Sequence, residues 1–375
     1  MDAHGCRACR SQSGDVVLDL GLQPACDYFP SSGDPGPEPV YPLQMWLCAA
    51  CGLAQLLDDP TVAEEPKGTE PAALVAQAAD AVARVGAAGL LPAGARVAEY
   101  GSPHGGSWLS LLGGQGLRPV DGTAQADVVL DCFGLMHAAD QAAALAERAA
   151  RLTAGGVLLL QYHSLGSIIR QGQWNALRHG HYAYYSATAL GSMLAAAGLT
   201  PRTLWHFDLY GGTVLLAAGH GDNAPDDTVE EALAAEALVG VRDPAALRGL
   251  QRDVLAKATA LHDWLAGCAA AGKTVLGYGA ASRAVALLRT AGASDELLPA
   301  IADASPAKHG LRMPGTAIPV ISPGELVARH PDEVAVFVSD LLAEVRAAYP
   351  EIEAHGGHWT DADALGTSSP GPEVS

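Results

Sequence analysis

Two Cys-x-x-Cys pairs constrain this chain more than any other feature: CRAC supplies Cys6 and Cys9, and CAAC supplies Cys48 and Cys51. A tight turn lets two thiolates point at one ion. Two such turns close a tetrahedral site for zinc, which is soft enough to prefer sulfur and needs no redox partner. Sharing one ion forces the two ends of a long N-terminal segment together. Four protein ligands leave no open coordination position, so the expected zinc is structural. The other three of the seven cysteines, Cys26, Cys132 and Cys268, stand alone. MDAHGCRACR has no apolar core of an export signal, so a cytoplasmic location is expected rather than a disulfide framework.

The first segment reads as loop-rich and ends in the polar break DDPTVAEEP. Beyond it, strand and helix patterns alternate. An Ala-rich helix (71–91) is followed by a strand into a glycine loop, ARVAEYG (95–101). ADVVLD (126–131) reads as a strand, HAADQAAALAERAARL (137–152) as a helix and GGVLLLQYH (155–163) as a strand. SATALGSMLAAAGL (186–199) is helical, and GGTVLLAAGH (211–220) is a late strand. Such alternation predicts α/β units with helices on the faces of a parallel sheet. After a long helical region, KTVLGYGAASRAVALLRTAG (273–292) opens a second unit of that kind. The predicted division is 1–62, a zinc-binding domain; 63–222, a shortened α/β domain; 223–270, a helical connection; 271–365, a second α/β domain; and 366–375, a disordered tail.

Charge and apolar content narrow the partners. A net charge of −19 opposes nucleic acid, whose phosphates require a basic face. No apolar run reaches the ~20 residues of a membrane span. A small molecule is the expected ligand. RHGHYAYYS (178–186) packs two histidines and three tyrosines into one short stretch. His181 is a candidate general base near neutral pH, with tyrosines to orient substrate; the alternatives are a share in a metal site with His179, or a plain surface loop. VAEYGSPHGGSW (97–108) allows a backbone to approach a ligand closely, although glycines also serve ordinary turns. LGYGAAS (276–282) lacks the third glycine of a dinucleotide fingerprint, since Ser282 stands there.

Several segments, in order, carry a more specific signal: CRAC, LDLGLQPACDYF, YPLQMWLCAACGLAQL, HGHYAYYS, LYGGTVLL, VLGYGAASRAVALLR and DASPAKHGLRMPGTAIPVISPGEL. Along most of its length the chain resembles the zinc-containing C-methyltransferases that act on nucleotide-linked keto-deoxysugars in antibiotic biosynthesis. The resemblance implies an N-terminal zinc-binding domain, a class I methyltransferase-like Rossmann domain and a C-terminal Rossmann-like α/β domain. It also implies S-adenosylmethionine (SAM) as methyl donor and a base that removes the proton beside a carbonyl. Carried onto this sequence, the zinc ligands are Cys6, Cys9, Cys48 and Cys51. The catalytic candidates are His181, His179 and Tyr184. Glu99, Gly101, His104, Gly105 and Asp121 are the cofactor-binding candidates, and Tyr185, Tyr162, Tyr210 and Arg283 the substrate-binding ones. Apart from the resemblance, Trp205 and His206 near the GGT turn are candidates to line a pocket and Arg283 and Lys308 to meet a phosphate, with ordinary packing or solvated surface as the alternative.

Of three departures, one falls on the histidine motif and two on the cofactor half. The family's His-Glu-His motif appears as His179, Gly180 and His181, without its acid. Pro103 and His104 stand where the family's loop has Asn and Asp. Between Gly101 and Asp127 only LRPVDG remains as a remnant of the second strand, with Asp121 as its acid. These losses predict weak or absent SAM binding in a truncated methyltransferase domain. Three functions therefore stay open: a C-methyltransferase, a SAM-independent isomerase, lyase or cyclase using the His/Tyr loop, and a non-catalytic partner of an active homologue.

Overall fold

A computed structural model describes residues 5–34, 36–61, 70–101, 106–221 and 224–366. The chain clusters into two units. One comprises the residues up to Asp19 together with Leu43–Pro60 and Glu70–Leu250; the other comprises Leu20–Pro42 and the residues from Gln251 onward.

The cysteine-bearing segment is not loop-rich. It forms β1 (Gly14–Pro24), β2 (Val40–Cys48) and β3 (Ala54–Leu56). With β8 (Ala183–Tyr184) these make a four-stranded sheet in the order β1-β2-β3-β8. VVLDL and LQMWL bury alternate or near-alternate residues, a strand signal that the flanking glycines and prolines obscure in the sequence.

The first unit is built on β4 (Arg96–Gly101), β5 (Arg118–Pro119), β6 (Ala126–Cys132), β7 (Leu152–His163), β9 (Thr200–Phe207) and β10 (Thr213–Gly219). Their order is β5-β4-β6-β7-β10-β9. β5, β4, β6 and β7 run parallel, and β10 runs antiparallel between β7 and β9. Alternation along β7 sorts the core. Leu158, Leu160 and Tyr162 pack with Leu145, Leu190 and Met193 on one face, in a cluster that also takes in Cys6 and Cys48. Val157 and Leu159 pack on the other face with Ala78, Ala81 and Val85 of the helix Ala72–Ala87. LRPVDG does yield a strand, the two-residue edge strand β5, where the missing N–H of Pro119 is tolerated. Among the described residues between β4 and β5, the one helix is the short Leu109–Gly114. The helix expected from residue 137 begins at Gln141, because Asp140 caps it by accepting from the Ala143 N–H at 3.0 Å.

The second unit carries β11 (Val275–Tyr278), β12 (Ile301–Ala302), β13 (Val320–Ile321), β14 (Glu333–Val336) and β15 (His358–Asp361), all parallel, in the order β13-β12-β11-β14-β15. The glycines of LGYGAAS serve packing here. A Cβ on Gly279 would stand 2.8 Å from a Val338 methyl, and one on Gly277 would stand 2.8 Å from Ile301. The expected tail, apart from Gly366, lies outside the described residues. No helix among the described residues is long and apolar enough to cross a membrane.

Candidate functional site

The four cysteines of the two knuckles come together. Cys6 and Cys51 sulfurs are 3.5 Å apart, Cys9 and Cys48 sulfurs 3.6 Å apart, and all four lie within 4.8 Å of one another. A zinc tetrahedron with bonds of about 2.3 Å has sulfur–sulfur edges of about 3.8 Å, so the donor set fits that ion. The hydrogen bond with Cys51 pulls the Cys6 thiol down to about 5 and pushes the Cys51 thiol up.

RHGHYAYYS is not a surface loop. His179 is 1% exposed and His181 6%, and Tyr184 and Tyr185 are buried. The turn is left-handed at Gly180, with φ +81°. Arg178 Nε donates to His181 Nε2 at 2.9 Å. The same Nε also lies 3.3 Å from His181 Nδ1. The Tyr184 hydroxyl accepts from the Arg178 N–H at 3.1 Å, tying the start of the turn to its end. Two residues that the sequence did not single out complete the arrangement. His137 Nδ1 meets the Gly180 carbonyl at 3.0 Å, and its ring stands edge-on to His181 with centroids 4.7 Å apart. The Gly180 N–H donates to Asp59 Oδ2 at 2.6 Å. His137 sits in the 3-10 turn Leu135–His137 that follows β6, so the histidines gather beside the carboxyl end of that strand. A histidine just past a predicted strand was a usable signal for His137; Asp59, inside a polar break, offered none.

The end of β6 is held by another residue that the motifs missed. Asp131 Oδ1 accepts from the Gly134 and Leu135 N–H groups, both at 2.8 Å, and Oδ2 accepts from Arg148 Nε at 2.6 Å. Burial pushes the Asp131 carboxyl upward, against the pull of Arg148. Gly134 is required by space, since a Cβ there would stand 2.9 Å from the Gly101 carbonyl.

At the glycine loop, Glu99 accepts from Ser107 Oγ and the Trp108 N–H, both at 2.6 Å. Its carboxylate therefore holds the far side of the loop. Gly101 pairs with Cys132 and bridges to Phe133, while His104 and Gly105 lie outside the described residues. Asp121 is exposed just past β5, next to β4. Gly101 thus ends β4, and Asp121 follows the adjacent parallel strand β5, whose Pro119 pairs with Val97.

The expected substrate residues are dispersed. Tyr162 and Tyr185 are closed inside the core edge-to-face at 5.9 Å, and burial raises both phenols. The Tyr185 hydroxyl donates to Gln141 Oε1. Tyr210 is half-buried with φ +56°, its ring 6.1 Å from that of Phe133. Trp205 and His206 lie on β9, where burial lowers the His206 imidazole. In the second unit Arg283 is met by Asp340 at 3.5 Å and Asp363 at 3.9 Å. Lys308 is buried, donating to the Ala280 carbonyl at 2.8 Å.

Three family models match the chain in succession: a zinc-binding domain over residues 6–64, a methyltransferase domain over 72–204 and a C-methyltransferase C-terminal domain over 208–361. C-methyltransferase NovU of Streptomyces niveus is 25% identical over 230 residues, covering 61% of this chain and 54% of the relative. The chain thus spans about half the length of the curated relative it matches. Among solved structures it is similar to magnesium protoporphyrin IX methyltransferase of Synechocystis PCC 6803 (12% identity, 41% of this chain, 90% of that chain, TM-score 0.31). It is also similar to 1,6-didemethyltoxoflavin-N1-methyltransferase of Burkholderia thailandensis (18% identity, 40% of this chain, 80% of that chain, TM-score 0.27). The chain thus carries, in this order, matches to a zinc-binding domain around the cysteine cluster, a methyltransferase domain and a C-methyltransferase C-terminal domain.

Proposed function

We propose that this chain methylates the carbon beside a carbonyl of a small biosynthetic intermediate, with a nucleotide-linked keto-deoxysugar as the favoured class and SAM as donor. One observation carries the reading: a buried His-Gly-His turn is held from several sides beside the carboxyl end of β6. SAM supplies an electrophilic methyl group. The chain's part is to bind it at the Gly101 turn and Asp121, and to prepare the accepting carbon. His181 Nε2 takes the proton from that carbon once substrate displaces its contact with Arg178. His179 flanks the base across Gly180, and Tyr184 fixes the main chain that carries Arg178. Burial excludes water, so the enolate carbon is not reprotonated by solvent before it takes the methyl group.

Methyl-labelled SAM, incubated with a panel of nucleoside-diphosphate-linked ketosugars, is expected to leave a labelled methyl on a product carbon, read by mass spectrometry. His181→Ala is expected to slow this by about 10²–10⁴-fold, the range of a positioned general base. Calorimetry with SAM and its demethylated product tests the donor separately. An absence of heat at millimolar concentration would sink the methyl-transfer reading and return the histidine turn to a SAM-independent reaction.

A further inference from the structure

The sequence has lost the acid that the resemblance places between the two histidines, and the fold brings another carboxylate to the same turn. Resting on the reading of His181 as base, we propose that Asp59 is the positioning residue of the histidine turn. Its carboxylate, delivered from the chain just past β3, fixes the peptide between His179 and Gly180.

Strand register delivers it. Ala54 pairs with Tyr184 and Gln55 with Ala183, antiparallel, and the Leu56 N–H donates to the Tyr182 carbonyl at 3.2 Å. Continuing that pairing carries the chain after Leu56 alongside the residues before Tyr182, and Asp59 Oδ2 arrives 2.6 Å from the Gly180 N–H. His137 holds the opposite side of the same residue through its carbonyl at 3.0 Å. Glycine has no side chain to restrain the turn, and its left-handed φ is one that it adopts without steric cost. These two tethers therefore set both peptide planes, and with them the directions in which the His179 and His181 side chains leave the backbone. An N–H bond to a carboxylate is also stronger than one between neutral groups. Arg7, which lies between Cys6 and Cys9, supports the same strap: its guanidinium stacks 4.7 Å over the Tyr182 ring and donates to the Leu56 carbonyl at 3.2 Å. The cysteine knuckle and the base turn thus belong to one hydrogen-bonded strap.

The test uses the full chain and two readouts. In Asp59→Ala, exchange of the Gly180 amide hydrogen is expected to accelerate by at least about tenfold, as a tethered turn becomes locally open. Asp59→Asn keeps an acceptor oxygen and is expected to restore protection. Where methyl transfer is followed, Asp59→Ala is expected to lower kcat about tenfold with KM little moved, and Asp59→Asn to recover most of it. Unchanged Gly180 exchange in Asp59→Ala overturns the proposal, as does an Asp59→Ala enzyme with wild-type kcat. If Asp59→Ala does not fold, unprotected Gly180 in folded Asp59→Asn overturns it instead. The exchange readout is independent of His181, so a failure of the base assignment shows itself separately, as unimpaired methylation by His181→Ala.

Discussion

Asp131 shows how one side chain shapes the carboxyl edge of a sheet. Its two oxygens close the turn after β6 and neutralise Arg148, whose guanidinium also lies 4.1 Å from the Tyr100 ring centre. The side chains are 1% and 7% exposed, so neither charge has water to fall back on. Removing one partner of such a pair strands the other. Arg148→Met is expected to cost about 3–5 kcal/mol of stability, read from denaturant unfolding. A loss below about 1 kcal/mol, the scale of a surface ion pair, would show that the pair is not buried in solution. The same turn carries His137, so this variant is also expected to disturb the His137 contact with Gly180.

At the level of elements, polar side chains decide where helices and strands begin. The helix Ala187–Ala196 starts where Ser186 accepts from the Ala189 N–H at 3.0 Å. Glu236, from the helix Asp227–Val239, takes the Ala187 and Thr188 N–H groups at 2.7 and 2.9 Å. A buried carboxylate at a helix N-terminus meets donors that the helix itself cannot satisfy. At the amino end of the sheet, Asp127 on β6 accepts from the Arg96 N–H and from its guanidinium. Those hydrogen bonds pull the Asp127 carboxyl down from 3.8 to about 2. A depressed carboxyl stabilises the fold above its unfolded value, and that stability is lost as pH falls from 3.8 toward 2. Asp127→Asn is therefore expected to flatten the acid limb of the stability curve over that window. An unchanged limb would mean that the Arg96 tie is not made in solution.

Across the whole molecule, the cysteine cluster is the feature with the widest reach, since its core continues into the methyltransferase sheet. Purified protein is expected to carry about one zinc per chain, released on chelation or on acidification as the thiolates take up protons. Metal analysis well below one equivalent would remove the zinc assignment. Removal of the metal is expected to lower the thermal midpoint and to speed exchange across residues 178–186, through Arg7 and its contact with Tyr182. What the sequence determined by itself was local: two knuckles from Cys-x-x-Cys spacing, β4, β6, β7 and β10 from runs of apolar residues, and a histidine-rich turn from its composition. β9, with half-buried polar positions, and β15, a short edge strand with none of its residues buried, left no such trace. Nor did sequence alone show that Leu20–Pro42 belongs with the second unit, that Tyr162 and Tyr185 are core residues, or that Asp59 meets Gly180. Periodicity and spacing report a residue's neighbours along the chain. Which carboxylate reaches a left-handed glycine more than a hundred residues away is fixed by strand register and by the side of the sheet on which each segment returns, and those exist only once the chain has packed.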